Sequence, residues 1–144
     1  MASTLIETKP MPGTVPGMKL RIVVADDNAR VLRALVSALS SDFDVIATAL
    51  NGSSALNHIQ QLQPSVVVLD LNMPGLNGIQ VTQEIRRLQL TSSVVICSVE
   101  NDPDVIAAAQ QAGALGYVFK RQLNRDLVTA VKCAACGESF VSAS

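Results

Sequence analysis

Val66-Val67-Val68-Leu69-Asp70-Leu71-Asn72-Met73-Pro74-Gly75-Leu76-Asn77-Gly78 runs four apolar residues into a carboxylate and then into chain breakers. A strand covered by helices on both faces reads as a continuous apolar run rather than an alternating one. The stretch therefore predicts a buried strand of a parallel α/β sheet with Asp70 at its carboxyl end. Ligands of such sheets bind in the crevice beyond the strand ends, so Asp70 is a candidate site residue. A plain turn or helix cap is the competing role, since Asp serves both well.

The same grammar repeats on either side. Leu20-Arg21-Ile22-Val23-Val24-Ala25 is a β-branched run closed by Asp26-Asp27-Asn28, and Val31, Leu32, Leu35, Val36 and Leu39 follow at helical spacing. Phe43 to Ala49 predicts a second strand, after which Asn51 or Ser53 caps a helix carrying Ala55, Leu56, Ile59 and Leu62. Beyond Gly78, residues Ile79, Thr82, Ile85 and Leu88 mark a third helix, and Val94-Val95-Ile96-Cys97 a fourth strand. Asp102-Pro103 sets Pro at a helix's first position behind a capping residue. The helix that follows, Val105 to Ala112, has good propensity but thin apolar anchoring, and is expected to be the mobile one. Leu115-Gly116-Tyr117-Val118-Phe119 is a fifth strand, and Leu123, Leu127, Val128, Val131 and Ala135 trace a last helix ending near Gly137. Strand and helix pairs in this order imply a parallel sheet with right-handed crossovers and helices on both faces.

The 144 residues suit one domain. A hydrophobic content of 49% with 16% charged residues lies far from disordered compositions. With three Phe, one Tyr and no Trp, the core must be aliphatic. The net charge of -1 gives no general attraction for nucleic acid or an anionic membrane, so direct DNA binding by this chain is not expected. Residues 1–17, with Pro10, Pro12, Gly13, Pro16 and Gly17, are read as a flexible tail. The amino end lacks the basic start and apolar stretch of a signal peptide, and no window approaches the roughly 20 apolar residues of a membrane span. A cytoplasmic location is expected, which suits the three thiols Cys97, Cys133 and Cys136. Cys133 and Cys136 form a C-x-x-C late in a helix, where a redox pair needs the helix amino end and zinc needs a second ligand pair. They are read as small residues packed on a helix face.

In a parallel sheet every strand's carboxyl end lies on one rim, which brings together Asp26 and Asp27, Asp70, Ser98 and Lys120. Packed carboxylates raise one another's pKa unless a cation joins them. Hard oxygen ligands without His or Cys suit Mg²⁺, which takes one or two carboxylates and is completed by phosphate oxygens. A Lys and a hydroxyl beside such a metal neutralise a phosphoryl group, and an Asp can accept that group as an acyl phosphate.

Ala25-Asp26-Asp27, Leu69 through Gly78, Ser98 and Gly113-Ala114-Leu115-Gly116-Tyr117-Val118-Phe119-Lys120 resemble, in order and spacing, the receiver domain of two-component response regulators over about residues 19–141. Leu127 to Lys132 and Gly137 to Ser142 are most similar to receivers of the NarL/FixJ type. The resemblance implies a flavodoxin-like, doubly wound, five-stranded parallel sheet of order 2-1-3-4-5 with five helices, occupying residues 18–141. Residues 142–144 are then either the carboxyl end of a single-domain regulator or the start of a linker to an output domain absent from the chain. It implies that Asp70 takes a phosphoryl group from the phosphohistidine of a sensor histidine kinase or a phosphotransfer protein. Asp26 or Asp27, Asp70 and the Asn72 backbone carbonyl would hold Mg²⁺. Lys120 and Ser98 would contact phosphoryl oxygens, with Tyr117 moving behind Ser98. Val99, Asn72 and Glu100 stand where access and acyl phosphate lifetime are tuned. The implied output is a shift of the surface formed by the fourth helix, fifth strand and fifth helix. Homodimerisation on phosphorylation would follow and, if the chain is a fragment, DNA binding through a helix-turn-helix domain outside it. Such a chain is a signalling phosphoacceptor that assists its own phosphorylation and dephosphorylation, not a turnover enzyme.

Some positions depart from the family pattern. Ser98 replaces the commoner Thr, keeping the hydroxyl. Val99 stands where Ala or Gly is usual and is expected to crowd the phosphoryl entrance. Arg121 replaces a Pro that often follows the Lys, and a cis bond without Pro costs about 2.5 to 4 kcal/mol, which leaves that loop's geometry open. Three rival readings are weaker. A haloacid dehalogenase-type phosphohydrolase needs a second Asp as general acid, where this chain has Asn72, and carries its nucleophile on the first strand. A flavodoxin-like cofactor binder needs a Ser, Thr and Gly-rich loop where Asp26-Asp27 stand. A phosphorylation-independent interaction module has no use for the full acidic set.

Overall fold

The computed structural model describes residues 19–143. The tail expected at residues 1–17 lies outside the described residues. Strands β1 (Arg21–Ala25), β2 (Asp44–Ala49), β3 (Val66–Asp70), β4 (Ser93–Ser98) and β5 (Gly116–Phe119) alternate with helices α1 (Ala29–Leu39), α2 (Gly52–Leu62), α3 (Gly78–Arg87), α4 (Pro103–Ala112) and α5 (Leu123–Ala135). A single 3-10 turn, Lys120–Gln122, links β5 to α5, and a two-residue strand β6 (Phe140–Val141) follows. The sheet runs β2-β1-β3-β4-β5-β6, and each neighbouring pair is parallel. The expected five-stranded order 2-1-3-4-5 is therefore present, but the sheet has six strands. Phe140 and Val141 are too few to show a period, and α5 already closed the pattern.

Alternate residues of the central strands feed two cores. Val67, Leu69, Val94 and Ile96 pack toward α2, α3 and α4, with Ile59, Val81 and Ile85. Val66, Val68, Val95 and Cys97 pack toward α1 and α5, with Leu35, Leu39, Leu127 and Val131. Every residue of β3 is buried, as its apolar run requires. On α3, Thr82 and Ile85 of the expected apolar face are buried together with Val81, while Ile79 and Leu88, the residue just past the helix, are half-buried.

Side-chain caps set the helix starts. Asn28 accepts from Arg30 N and Val31 N at 2.9 and 3.2 Å, and Asn51, rather than Ser53, accepts from Ser54 N at 2.8 Å. Asn77 and Gln80 form a reciprocal capping box at α3, which satisfies two otherwise orphaned donors. Asp102 caps α4 ahead of Pro103. Helix α4 buries only Ala109 and Ala112, with Val105 and Ile106 partly packed, so its anchoring is thin. From α3, Arg86 Nη1 donates to the Gln111 carbonyl at 3.0 Å and ties down the far end of α4. The Lys120–Arg121 peptide is trans, as are all the described bonds. Cys97 is buried, Cys133 half-buried and Cys136 exposed, all three free.

Candidate functional site

The carboxyl ends of β1, β3 and β5 bring their charged residues to one point. Asp26 follows β1 and is completely buried, whereas its neighbour Asp27 is exposed. Asp70 ends β3, and Lys120 follows β5. The Lys120 ammonium lies 2.7 Å from Asp26 Oδ2 and 3.1 Å from Asp70 Oδ1. One carboxylate oxygen each of Asp26, Asp27 and Asp70 lie within 4.8 Å of one another. Asp26 Oδ1 accepts from Asn28 N at 2.8 Å, which fixes that carboxylate. The adjacent pair Asp26-Asp27 is thus split into an inner and an outer carboxylate, a distinction two identical neighbours in a sequence do not carry.

Asp70 is held by the backbone around it. A Cβ on Gly78 would fall 2.4 Å from the Asp70 carbonyl oxygen, so only glycine lets the start of α3 close on β3 here. Gly78 N donates to the Leu71 carbonyl at 2.9 Å and anchors that approach. Gly78 was legible as part of the turn but not as the residue that seats Asp70.

Burial raises the Asp70 pKa above its ordinary value, Lys120 opposes the rise, the Asp26 charge adds to it, and the Asn72 backbone lowers it. For Lys120, burial works against the ammonium but hydrogen bonds to Asp26 and Asp70 overcome it, and its pKa is raised. The cation therefore stays charged and shares itself between two carboxylates. Beneath them the Cys97 thiol is pushed up to about 12, chiefly by burial, which removes it as a nucleophile.

A second group sits at the end of β4. Ser98 is fully buried, and its Oγ accepts from Glu100 N at 3.0 Å. Tyr117 is 1% exposed, and its hydroxyl donates to the Glu100 carbonyl at 2.8 Å. Glu100 is half-buried, and Asn72 is exposed. Val99, between Ser98 and Glu100, is 73% exposed and stands at the rim as a bare aliphatic side chain. The structure thus unites Asp26, Asp27, Asp70 and Lys120 directly, and joins Ser98, Glu100 and Tyr117 in an adjacent cluster through the β4–α4 loop.

The donor set is all hard oxygen, which fits a divalent cation of the Mg²⁺ type. Asp26 Oδ2 supports that fit: it is buried, and among the described residues only the Lys120 ammonium meets it. Among the described residues no helix is long and apolar enough to cross a membrane.

The family model of the response regulator receiver domain matches residues 22–132. The nitrate/nitrite response regulator protein NarL of Escherichia coli strain K12 is 36% identical over 124 residues, covering 84% of this chain and 57% of the relative. The signal receiver domain of a NarL response regulator from Mycobacterium tuberculosis superposes with a TM-score of 0.81 at 34% identity, covering 84% of this chain and 99% of that one. A LuxR-family two-component response regulator from Aurantimonas sp. SI85-9A1 gives 0.80 at 27% identity, over 85% and 89% of the two chains. The chain spans less than two thirds of the length of the curated relatives it matches. It belongs to the response regulator receiver domain family, on the NarL-like branch.

Proposed function

We propose that Asp70 is the phosphoacceptor of this receiver, taking a phosphoryl group from the phosphohistidine of a sensor histidine kinase or phosphotransfer protein. The observation that carries the reading is the Lys120 ammonium bridging Asp26 and Asp70 inside a cluster of three carboxylates. An Asp70 carboxylate oxygen attacks phosphorus, the O–P bond forms as the P–N bond to the donor imidazole breaks, and the electron pair stays with the imidazole. Lys120 supplies positive charge to the phosphoryl oxygens, and Ser98 turns its hydroxyl from Glu100 N toward them. Asp26, Asp27, Asp70 and the Asn72 carbonyl would hold Mg²⁺, which when bound neutralises charge on the transferring group. Asn72 and Glu100 set the lifetime of the acyl phosphate, and Val99 screens its entrance. Tyr117, already buried behind Ser98, relays the change through Glu100 into the loop that leads to α4.

The same reading makes the chain an acceptor that assists its own phosphorylation and dephosphorylation, working in the cytoplasm. The unit proposed at residues 18–141 also takes in Ser142, which is buried against Asp126. Phosphorylation would favour a homodimer, and DNA would be bound by a helix-turn-helix domain outside residues 1–144.

Intact-mass measurement after incubation with acetyl phosphate and Mg²⁺ tests the proposal. The wild-type chain gains one phosphoryl group and Asp70→Asn gains none. An adduct that persists in Asp70→Asn would overturn the assignment of the acceptor.

A further inference from the structure

Beyond the site, the chain turns back after α5 and lies along the free edge of β5. Phe140 N donates to the Leu115 carbonyl at 3.0 Å, and Ser142 N donates to the Tyr117 carbonyl at 2.9 Å. The Ser142 hydroxyl then works in both directions. It accepts from Phe119 N at 3.1 Å and donates to Asp126 Oδ2 at 2.7 Å. Arg125 closes the assembly, with Nε and Nη2 on the two Asp126 oxygens at 2.8 and 3.0 Å and Nη2 on the Ala143 carbonyl at 3.1 Å. Ser142 and Asp126 are each 6% exposed, so a buried polar network holds this segment. Apolar burial adds little, because Phe140 is half-buried and Val141 is 39% exposed.

We infer that β6 and Ser142 form a latch on the β5 edge whose grip loosens when a phosphoryl group occupies the acidic site, freeing residues 140–143 from that edge. The inference rests on the phosphoacceptor reading above. Phe119, whose N–H is clamped by Ser142, directly precedes Lys120, whose ammonium holds Asp26 and Asp70. In the sheet, β6 lies on the opposite side of β5 from β4 and the acidic cluster. Lys120 already touches both carboxylates, so a phosphoryl group on Asp70 must take over its ammonium, and the end of β5 shifts with it against its bonds to β6. The segment is also short, with Phe140 as its apolar anchor against the core and a pairing of only two residues, which suits local opening. The occupant of the β5 edge is thus a piece of the same chain, and its release is the signal.

Amide hydrogen exchange on the full chain with Mg²⁺, with and without beryllium trifluoride as the phosphoryl analogue, reads the latch directly. The amides of Phe119, Phe140 and Ser142 exchange about ten-fold faster with the analogue bound, while Val131 in α5 is unchanged, a contrast expected of local opening. If the analogue perturbs the signals around Asp70 and these three amides keep or gain protection, the latch is wrong. If the analogue does not bind, the phosphoacceptor reading fails and the latch fails with it. Coupling is reciprocal, so Ser142→Ala, checked as folded by its urea transition, binds the analogue about five-fold more tightly. Unchanged affinity in the folded variant overturns the coupling.

Discussion

Asp70 and Asp126 are both buried, at 4% and 6% exposure, and each meets a cation, yet the fold uses them in opposite ways. Asp126 receives two nitrogens of Arg125 and the Ser142 hydroxyl, and the Arg125 bond, ahead of the opposing burial, lowers its pKa. Asp70 must share one ammonium with Asp26, and burial raises its pKa. Burial alone does not decide a carboxylate's role. What decides it is how many donors the surroundings aim at its oxygens. Asp126 is saturated and serves as a fastening, whereas Asp70 is left wanting positive charge, the condition of a group kept for chemistry.

The comparison breaks most directly at phosphorylation. Asp70→Asn abolishes acyl phosphate formation from acetyl phosphate, whereas Asp126→Asn keeps it, as read by intact mass. A phosphorylation defect in the Asp126 variant would merge the two roles. Stability comes next. Asp126→Ala orphans the buried Ser142 hydroxyl and costs about 1 to 3 kcal/mol, measured by urea denaturation. No loss there would mean that the latch bonds contribute nothing.

The pH dependence sharpens the contrast, because the two groups act with opposite sign. Asp126 has a folded pKa below its ordinary value of 3.8, so its contribution is present above that pH and is lost as pH falls through the folded value. Asp70 has a folded pKa above 3.8, so its contribution is present below that pH and is lost as pH rises through the folded value. Ionised Asp70 therefore weighs against the fold at neutral pH. Asp70→Asn should raise the urea midpoint at pH 7, with the gain vanishing below 3.8. Asp126→Asn should lower that midpoint, with the loss closing over the acid range. Parallel shifts in the two variants would contradict the account. The smallest effect is expected at the entrance, where Val99→Ala trims an exposed side chain and quickens phosphorylation by acetyl phosphate. Equal rates would remove the steric argument.

Much of this molecule was legible locally. Val66 to Leu69 could only be a strand covered on both faces, and Asp70 had to emerge at its end. The same held for Ala25 before Asp26 and Phe119 before Lys120, so the charged residues of the rim could be collected from strand ends alone. Helix α4 betrayed its thin anchoring through its alanines, and the structure gives it only Ala109 and Ala112 as buried residues. The cap of α2 was legible as Asn51 or Ser53, and the structure chooses Asn51.

Other features depended on what lay across the fold. Val81 and Ile79 lie about 200° apart around α3, and the covered face is the one centred on Gly78, Thr82 and Ile85, which takes in Val81 and leaves Ile79 at its margin. Strand β6 has two residues and no partner within twenty positions of sequence, since its pairing is with Gly116 and Tyr117.

The sequence by itself determined that a parallel sheet would bring Asp26, Asp27, Asp70, Ser98 and Lys120 to a common rim. Apolar runs and the polar residues that end them are local properties of the chain. Only the tertiary structure decided that Asp26 is the inner carboxylate, that Lys120 bridges it to Asp70, and that Ser142 returns to fasten β5. Those outcomes depend on distances and donor alignment between segments far apart in sequence, which no local pattern encodes.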